Sequence, residues 1–371
     1  MRQPRTKTNK TKRGFSLMEA VMVMAISVLM VGVAVSTFAR GTNMSTLVSE
    51  RAQMQQDLRA AEDMMIRDFS MAGAGLPTGG IGLTTGGGPV PKYGCDQTAT
   101  CYVPFVGAGT ANGITFPGRA LTYVIPGPAL GPQLNGAQPK SDVITVAYED
   151  TTFPLDSYGV TFNANATKVT FTTPAPAPVP PLPDVTDVNV GLAIGDLLLF
   201  QNGAGSMAIG EVTGTNKTSV TTFDVNFGAG DILNLNQPGT QGDLDDFIGV
   251  ASPVQAHRIY VITYYLSTWT NNNGVAIPRL MRQVNGQPAV PIAENVVDFR
   301  VSYDTYDNSG NLLVNVKDGG ASLGVSPNMI RKINIQHLTA RKTLGGGLGN
   351  VSVDLQTEIS ARNMSFKDRY Q

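Results

Sequence analysis

A run of 24 residues, Phe15 to Phe38, contains one charged side chain, Glu19, and constrains everything else about this chain. Rising 1.5 Å per residue as a helix, it extends about 36 Å, enough for a hydrocarbon core of roughly 30 Å. A carboxylate inside such a segment is costly unless a cation or donor groups meet it, so Glu19 requires a partner. Arg2, Arg5, Lys7, Lys10, Lys12 and Arg13 precede the run with no acidic residue among them. Such a basic flank stays on the cytoplasmic side, so the remainder is expected to be exported. The formal charge of the whole is -1, which leaves the part after the flank net acidic and argues against nucleic-acid binding.

No proline occurs between Phe15 and Pro77, so one long helix can occupy that interval. Past the apolar run its character changes. Leu47, Met54, Leu58, Ala61, Met65, Phe69 and Ala72 recur at helical spacing and predict one apolar face. The opposite face is read as Glu50, Asp57, Glu62, Asp63 and Asp68 among Arg51, Arg59 and Arg67. Gly73, Gly75 and Pro77 predict the end of the helix.

Beyond residue 76 the chain reads as strands between turns. Stretches rich in β-branched and aromatic residues occur at 120–125, 142–148, 168–173, 196–200, 219–225, 258–266, 295–303, 330–340 and 351–362. Alternation predicts that Val297, Phe299, Val301 and Tyr303 point one way, and that Ile333, Ile335 and His337 share a face. The 41 glycines and 23 prolines cluster at 73–91, 107–139 and 174–183, which predicts long surface loops. The 174–184 stretch, PAPAPVPPLPD, is an extended loop. The expected fold class is α+β, with one N-terminal helix covering an antiparallel sheet and with long Gly/Pro-rich loops.

Cys95 and Cys101 are the only cysteines. In an oxidising compartment they would close a small loop by a disulfide, whose chain-entropy ceiling is about 2–3 kcal/mol. The alternative is two separate buried thiols; two thiols with no nearby histidine do not make a zinc site.

Catalytic chemistry finds no support in the motifs. His257 and His337 are the only histidines and no nucleophile motif accompanies them, so structural or surface roles are expected for both, with no enzyme activity, cofactor or metal site. The glycine-rich stretches lack the Lys-Ser/Thr of a phosphate loop. The acidic stretches 304–311 and 242–247 carry oxygen ligands of the kind calcium takes, but neither has EF-hand spacing, and Asn308, Ser309 and Gly310 are ordinary hairpin-turn residues.

The stretch KRGFSLMEAVMVMAIS resembles the prepilin leader of type IV pilins and type II secretion pseudopilins: a short basic segment ending at Gly14, then Phe15, a carboxylate at Glu19 and an unbroken apolar helix. The resemblance implies that a prepilin peptidase cuts between Gly14 and Phe15 and N-methylates Phe15. It also implies that Phe15 and Glu19 act in assembly, the new amine pairing with the carboxylate. Segments 55–75, 141–148, 258–266, 279–286, 292–304, 330–341 and 355–366 are similar, in that order, to the PilW family of minor pilins. The stretch 150–255 has no counterpart there and is expected to be an elaboration facing the exterior.

The implied organisation is a leader at 1–14, a transmembrane and assembly helix at 15–39, an amphipathic helix packed on the head at 40–76 and a β-rich head at 77–371. The implied function is that of a minor pilin that primes type IV pilus assembly and enters the filament near its tip. It would sit in the bacterial inner membrane with its head in the periplasm, then in the pilus at the cell surface. Its partners would be the prepilin peptidase, other minor pilins, the major pilin and a tip adhesin. A type II secretion pseudopilin of the J class carries the same leader. A third reading is a pilus-associated adhesin or DNA-uptake subunit.

Overall fold

The computed structural model describes the backbone of residues 16–361 and Met364, except 78–79, 84–91, 96–100, 105–108, 112–113, 117–119, 135, 137–138, 237–243, 251–252 and 345–348; side chains from 84 to 120 are outside the description. The fold is α+β: one 55-residue helix, Leu17–Met71, followed by antiparallel sheets. The chain divides into two compact units, residues 1–53 with 343–351, and residues 54–342 with 352–371.

In the first unit Ser16 and the helix residues up to Thr46 are all exposed, and Leu47 is half-buried. In the second unit the helix buries Met54, Leu58, Ala61, Met65 and Phe69, five members of the face that the periodicity predicts. Phe69 meets the ring of Tyr264 edge-on at 5.4 Å. Asp68 departs from expectation. It is buried on this face at 2 % exposure, because Ala61, Met65, Asp68 and Ala72 continue the same three-four spacing.

The helix stops at a turn, Ala72–Gly75, with Gly73 and Gly75 at φ of 78° and 72°. This turn joins the strand Val143–Glu149 through Gly73 N–H donating to the Ala147 carbonyl (2.8 Å) and Glu149 N–H donating to that of Ala74 (2.9 Å).

A seven-stranded antiparallel sheet is organised around the strand Val254–Thr270. On one side this strand pairs in succession with Leu197–Asn202 and Ala276–Val284, and on the other with Val143–Glu149. Asn285 joins the succession: its Oδ1 accepts from Val261 N–H (2.7 Å) and its Nδ2 donates to the Ile259 carbonyl (3.0 Å). The head is therefore not one sheet. A four-stranded sheet, in the order Gly214–Lys217, Thr222–Asn226, Lys168–Thr172, Gly159–Phe162, lies within the 150–255 stretch. It shares an aromatic core with the Leu197–Asn202 strand: Phe162 is 5.0 Å and Phe227 5.6 Å from the ring of Phe200. The 174–184 stretch is irregular, as its prolines require.

A second four-stranded sheet follows the order Leu312–Val316, Val296–Tyr306, Ile330–Leu344, Gly349–Ser360. Bulges alter its predicted faces. The register shifts between Val296 and Asp298, so Val296 is buried and Val297 only half-buried. Val301 pairs with Ile335 but Arg300 with His337, leaving Gln336 as the extra residue. Ile333 and Ile335 are buried as expected, whereas His337 turns outward to Asp354 and Leu338 takes the core position. Asp142 ties this sheet to the seven-stranded one: its Oδ2 accepts from Val301 N–H (2.9 Å) and its own N–H donates to the Phe299 carbonyl (2.9 Å).

Candidate functional site

The apolar part of the helix is the feature most clearly suited to a function outside the fold. By length and composition it can cross a membrane, and none of its most apolar stretch is buried. Leu17, Met18, Met22, Leu29, Met30 and Phe38 are among its exposed large side chains. Such a surface requires lipid or other apolar partners.

Polar groups in this segment are satisfied within the helix. Ser27 Oγ donates to the Val23 carbonyl at 2.7 Å, Ser36 Oγ to that of Val33 at 2.9 Å, and Thr37 Oγ1 to the same carbonyl at 2.9 Å. Thr42 and Thr46 make bonds of the same kind at 2.9 and 3.0 Å. A hydroxyl bonded back to its own helix presents little unmet polarity to hydrocarbon.

Glu19 stands in the first turn and closes a reciprocal cap. Ser16 N–H donates to Glu19 Oε2 at 3.0 Å, and Glu19 N–H donates to Ser16 Oγ at 3.2 Å. This is the capping-box pattern, Ser-x-x-Glu, and the carboxylate also faces the positive end of the helix dipole. Ser16 is thus a partner of Glu19 besides the Phe15 amine that the resemblance implies, and its three-residue spacing is legible in the sequence. Gly14 and Phe15 lie outside the described residues.

At the other end of the helix, Asp68 is the centre of a buried polar cluster. Its Oδ2 accepts from Arg282 Nε at 2.7 Å and from Tyr264 OH at 2.5 Å, and its Oδ1 accepts from Tyr148 OH at 3.3 Å. Burial, then the charge of Asp68, pushes both tyrosine hydroxyls above their ordinary pKa. For Arg282 burial works in the opposite sense, but bonding to Asp68 outweighs it and the guanidinium is held charged. The cluster therefore fixes the foot of the helix to strands of the seven-stranded sheet.

Gly75 adds a steric constraint beside it. A Cβ there would fall 2.0 Å from Glu149 Oε2 and 2.6 Å from Glu149 Cβ. Glu149 Oε1 in turn meets His257 Nδ1 at 2.6 Å, and His257 Nε2 meets Gln201 Nε2 at 2.9 Å. His257 is thus oriented from both sides by residues more than fifty positions away, which no local spacing could announce. On the adjacent pair, Asp150 accepts from Arg258 Nε at 2.6 Å and from Tyr260 OH at 3.1 Å. No hydroxyl or thiol nucleophile is among the described hydrogen-bond partners of His257.

Cys95 and Cys101 lie on two short antiparallel strands, Lys92–Cys95 and Cys101–Pro104, whose register places them directly opposite each other. Their side chains are outside the described residues. Directly opposed residues of an antiparallel pair have Cα atoms roughly 4.5–5.5 Å apart, within the range a disulfide spans. In the acidic 304–311 stretch, Asp307 accepts from the N–H groups of Ser309 (2.9 Å) and Asn311 (2.7 Å), which is turn chemistry. Comparison with protein-family models, with curated proteins and with solved structures finds no match for this chain.

Proposed function

We propose that the chain is a minor pilin of type IV pili, similar to the PilW family, anchored by its N-terminal helix in the inner membrane before it enters the filament. The observation that carries this reading is the two-part character of one uninterrupted helix, Leu17–Met71. Its first part is apolar, exposed and internally satisfied in its hydroxyls; its last turns bury one face and bond to a β-rich head. A signal peptide that is cut off after its apolar core would have no use for such continuity. The basic flank and the Gly14-Phe15 junction, with Glu19 four residues on, supply the processing signal that a prepilin peptidase reads.

In this function the exposed segment packs against equivalent helices of other minor pilins and of the major pilin, and the head contacts neighbouring subunits or a tip adhesin. The decisive experiment is intact-mass and N-terminal peptide analysis of protein purified from membranes. The expected product lacks residues 1–14 and begins with N-methylated Phe15. Retention of Met1–Gly14, or cleavage beyond residue 39, would overturn the proposal.

A further inference from the structure

The strand Met207–Glu211 is the edge of the seven-stranded sheet, and an exposed edge is a template for unwanted pairing. Here the edge is capped at Glu211 by the carboxamide of Asn236. Its Oδ1 accepts from Glu211 N–H at 2.8 Å, and its Nδ2 donates to the Glu211 carbonyl at 2.6 Å and to that of Gly228 at 3.2 Å. The side chain thus takes the place of a neighbouring strand residue.

The segment carrying Asn236 is held by two acids. Glu211 Oε1 accepts from Ile232 N–H at 3.2 Å and Oε2 from Leu233 N–H at 2.8 Å. Asp231 Oδ2 accepts from the N–H groups of Leu235 and Asn236. Both carboxyl groups thus accept from N–H groups of the same short segment, residues 232–236, and they are 2 % and 7 % exposed. Gly286 closes over Glu211: a Cβ at that position would fall 2.2 Å from Glu211 Oε1. No cation is paired with either acid among the described residues. Two adjacent buried carboxylates without a cation cannot both be ionised cheaply.

We propose that Glu211 and Asp231 share one proton and form a pH-sensitive clasp, which holds residues 228–236 over the sheet edge and loosens when the proton leaves to solvent. Burial pushes Glu211 up to about 7, the Leu233 N–H opposing the rise and the charge of Asp231 adding to it. Burial likewise raises Asp231. A raised carboxyl stabilises the closed form fully below its ordinary value, and that stabilisation is lost as pH rises towards the folded-state value. The neighbouring elements add few titratable groups. Asp196, on the turn bonded to Gly286, is occupied by the N–H of Ala193 (2.9 Å) and Nε2 of Gln287 (2.7 Å) and is raised by burial. Asp245 and Asp246, which follow the Leu244 that packs under Gly210, are exposed.

Hydrogen exchange of the Ile232, Leu233, Leu235 and Asn236 amides tests the clasp, measured on the full chain in detergent micelles and corrected for the intrinsic pH dependence. From about pH 5 to about pH 7 the local opening constant should rise by up to about tenfold per pH unit, then level off. In Glu211→Gln, and independently in Asp231→Asn, it should be nearly flat with pH, because no proton is left to share. Amides of Lys168–Thr172 serve as the reference and should not follow the same profile. A pH-independent opening constant in the native chain, or an undiminished pH dependence in both variants, would overturn the proposal.

Discussion

Arg282 Nε donates to Asp68 Oδ2 at 2.7 Å across 214 positions of sequence, and through this bond the last turns of the helix are held to the seven-stranded sheet. Replacing Asp68 with Ala leaves a partly buried guanidinium and the hydroxyls of Tyr148 and Tyr264 without their shared acceptor. The expected loss is roughly 3–5 kcal/mol. Asp68→Asn retains one acceptor oxygen and should lose less. Urea denaturation of the two variants in the same detergent gives the comparison; an unchanged midpoint in Asp68→Ala would show that the cluster is not holding the helix.

Gly75 should tolerate no side chain. Its φ of 72° disfavours L-residues, and the Cβ of an alanine would collide with Glu149. Gly75→Ala is expected to cost about 3 kcal/mol or more, from backbone strain plus displacement of Glu149 from His257. Gly82, which has open space around its Cβ position, is the control. Thermal melts of both variants should differ by several degrees.

Glu19 has two competing roles that Ser16 separates. If the carboxylate serves only the helix cap, Ser16→Ala and Glu19→Ala should behave alike, each costing about 0.5–2 kcal/mol at the helix start. If it pairs with the amine of a processed Phe15, membrane insertion and head folding survive Glu19→Ala but co-assembly fails, while Ser16→Ala still assembles. Surface filament counts with both variants distinguish the cases.

The opposed register of Cys95 and Cys101 makes their oxidation the expected state in exported protein. Non-reducing peptide mapping should find one cross-linked pair. Reduction should loosen residues 92–104 more than it unfolds the domain, because the loop is short and local, and the chain-entropy ceiling on any global loss is about 2–3 kcal/mol.

Asp150 should contribute to acid unfolding. Burial tends to raise it, but its bonds from Thr152 and the Arg258 guanidinium outweigh that and hold its pKa below the ordinary carboxylate value. A lowered carboxyl stabilises the fold above its ordinary pKa, and this is lost as pH falls through the folded-state value. Asp150→Asn is therefore expected to flatten part of the stability decline below about pH 4, read from urea midpoints across a pH series.

Local periodicity carries much of this fold. The spacing of Met54, Leu58, Ala61, Met65 and Phe69 identifies the packed helix face, and the uncharged run after Glu19 marks the exposed apolar segment. Alternation and β-branched or aromatic content in the β-rich part locate most of the longer strands, while Gly159–Phe162 is too short for its alternation to stand out and Gly214–Lys217 carries no apolar side chain beyond a threonine methyl. These signals survive in sequence because burial of a repeating face acts on residues two, three or four positions apart.

Tertiary structure decided what those spacings leave open. Spacing places Asp68 on the packed face, but its carboxylate is satisfied there only because Arg282, Tyr148 and Tyr264 arrive from strands far along the chain; nothing near Asp68 records their approach. His337 faces outward because one extra residue, Gln336, shifts the strand register, and a bulge is a property of two paired strands. Glu211 and Asp231 are raised because the fold takes both carboxyl groups out of water, Glu211 beneath Gly286. Periodicity is written along the chain, whereas charge pairing, strand register and desolvation depend on distances that exist only after distant segments have met.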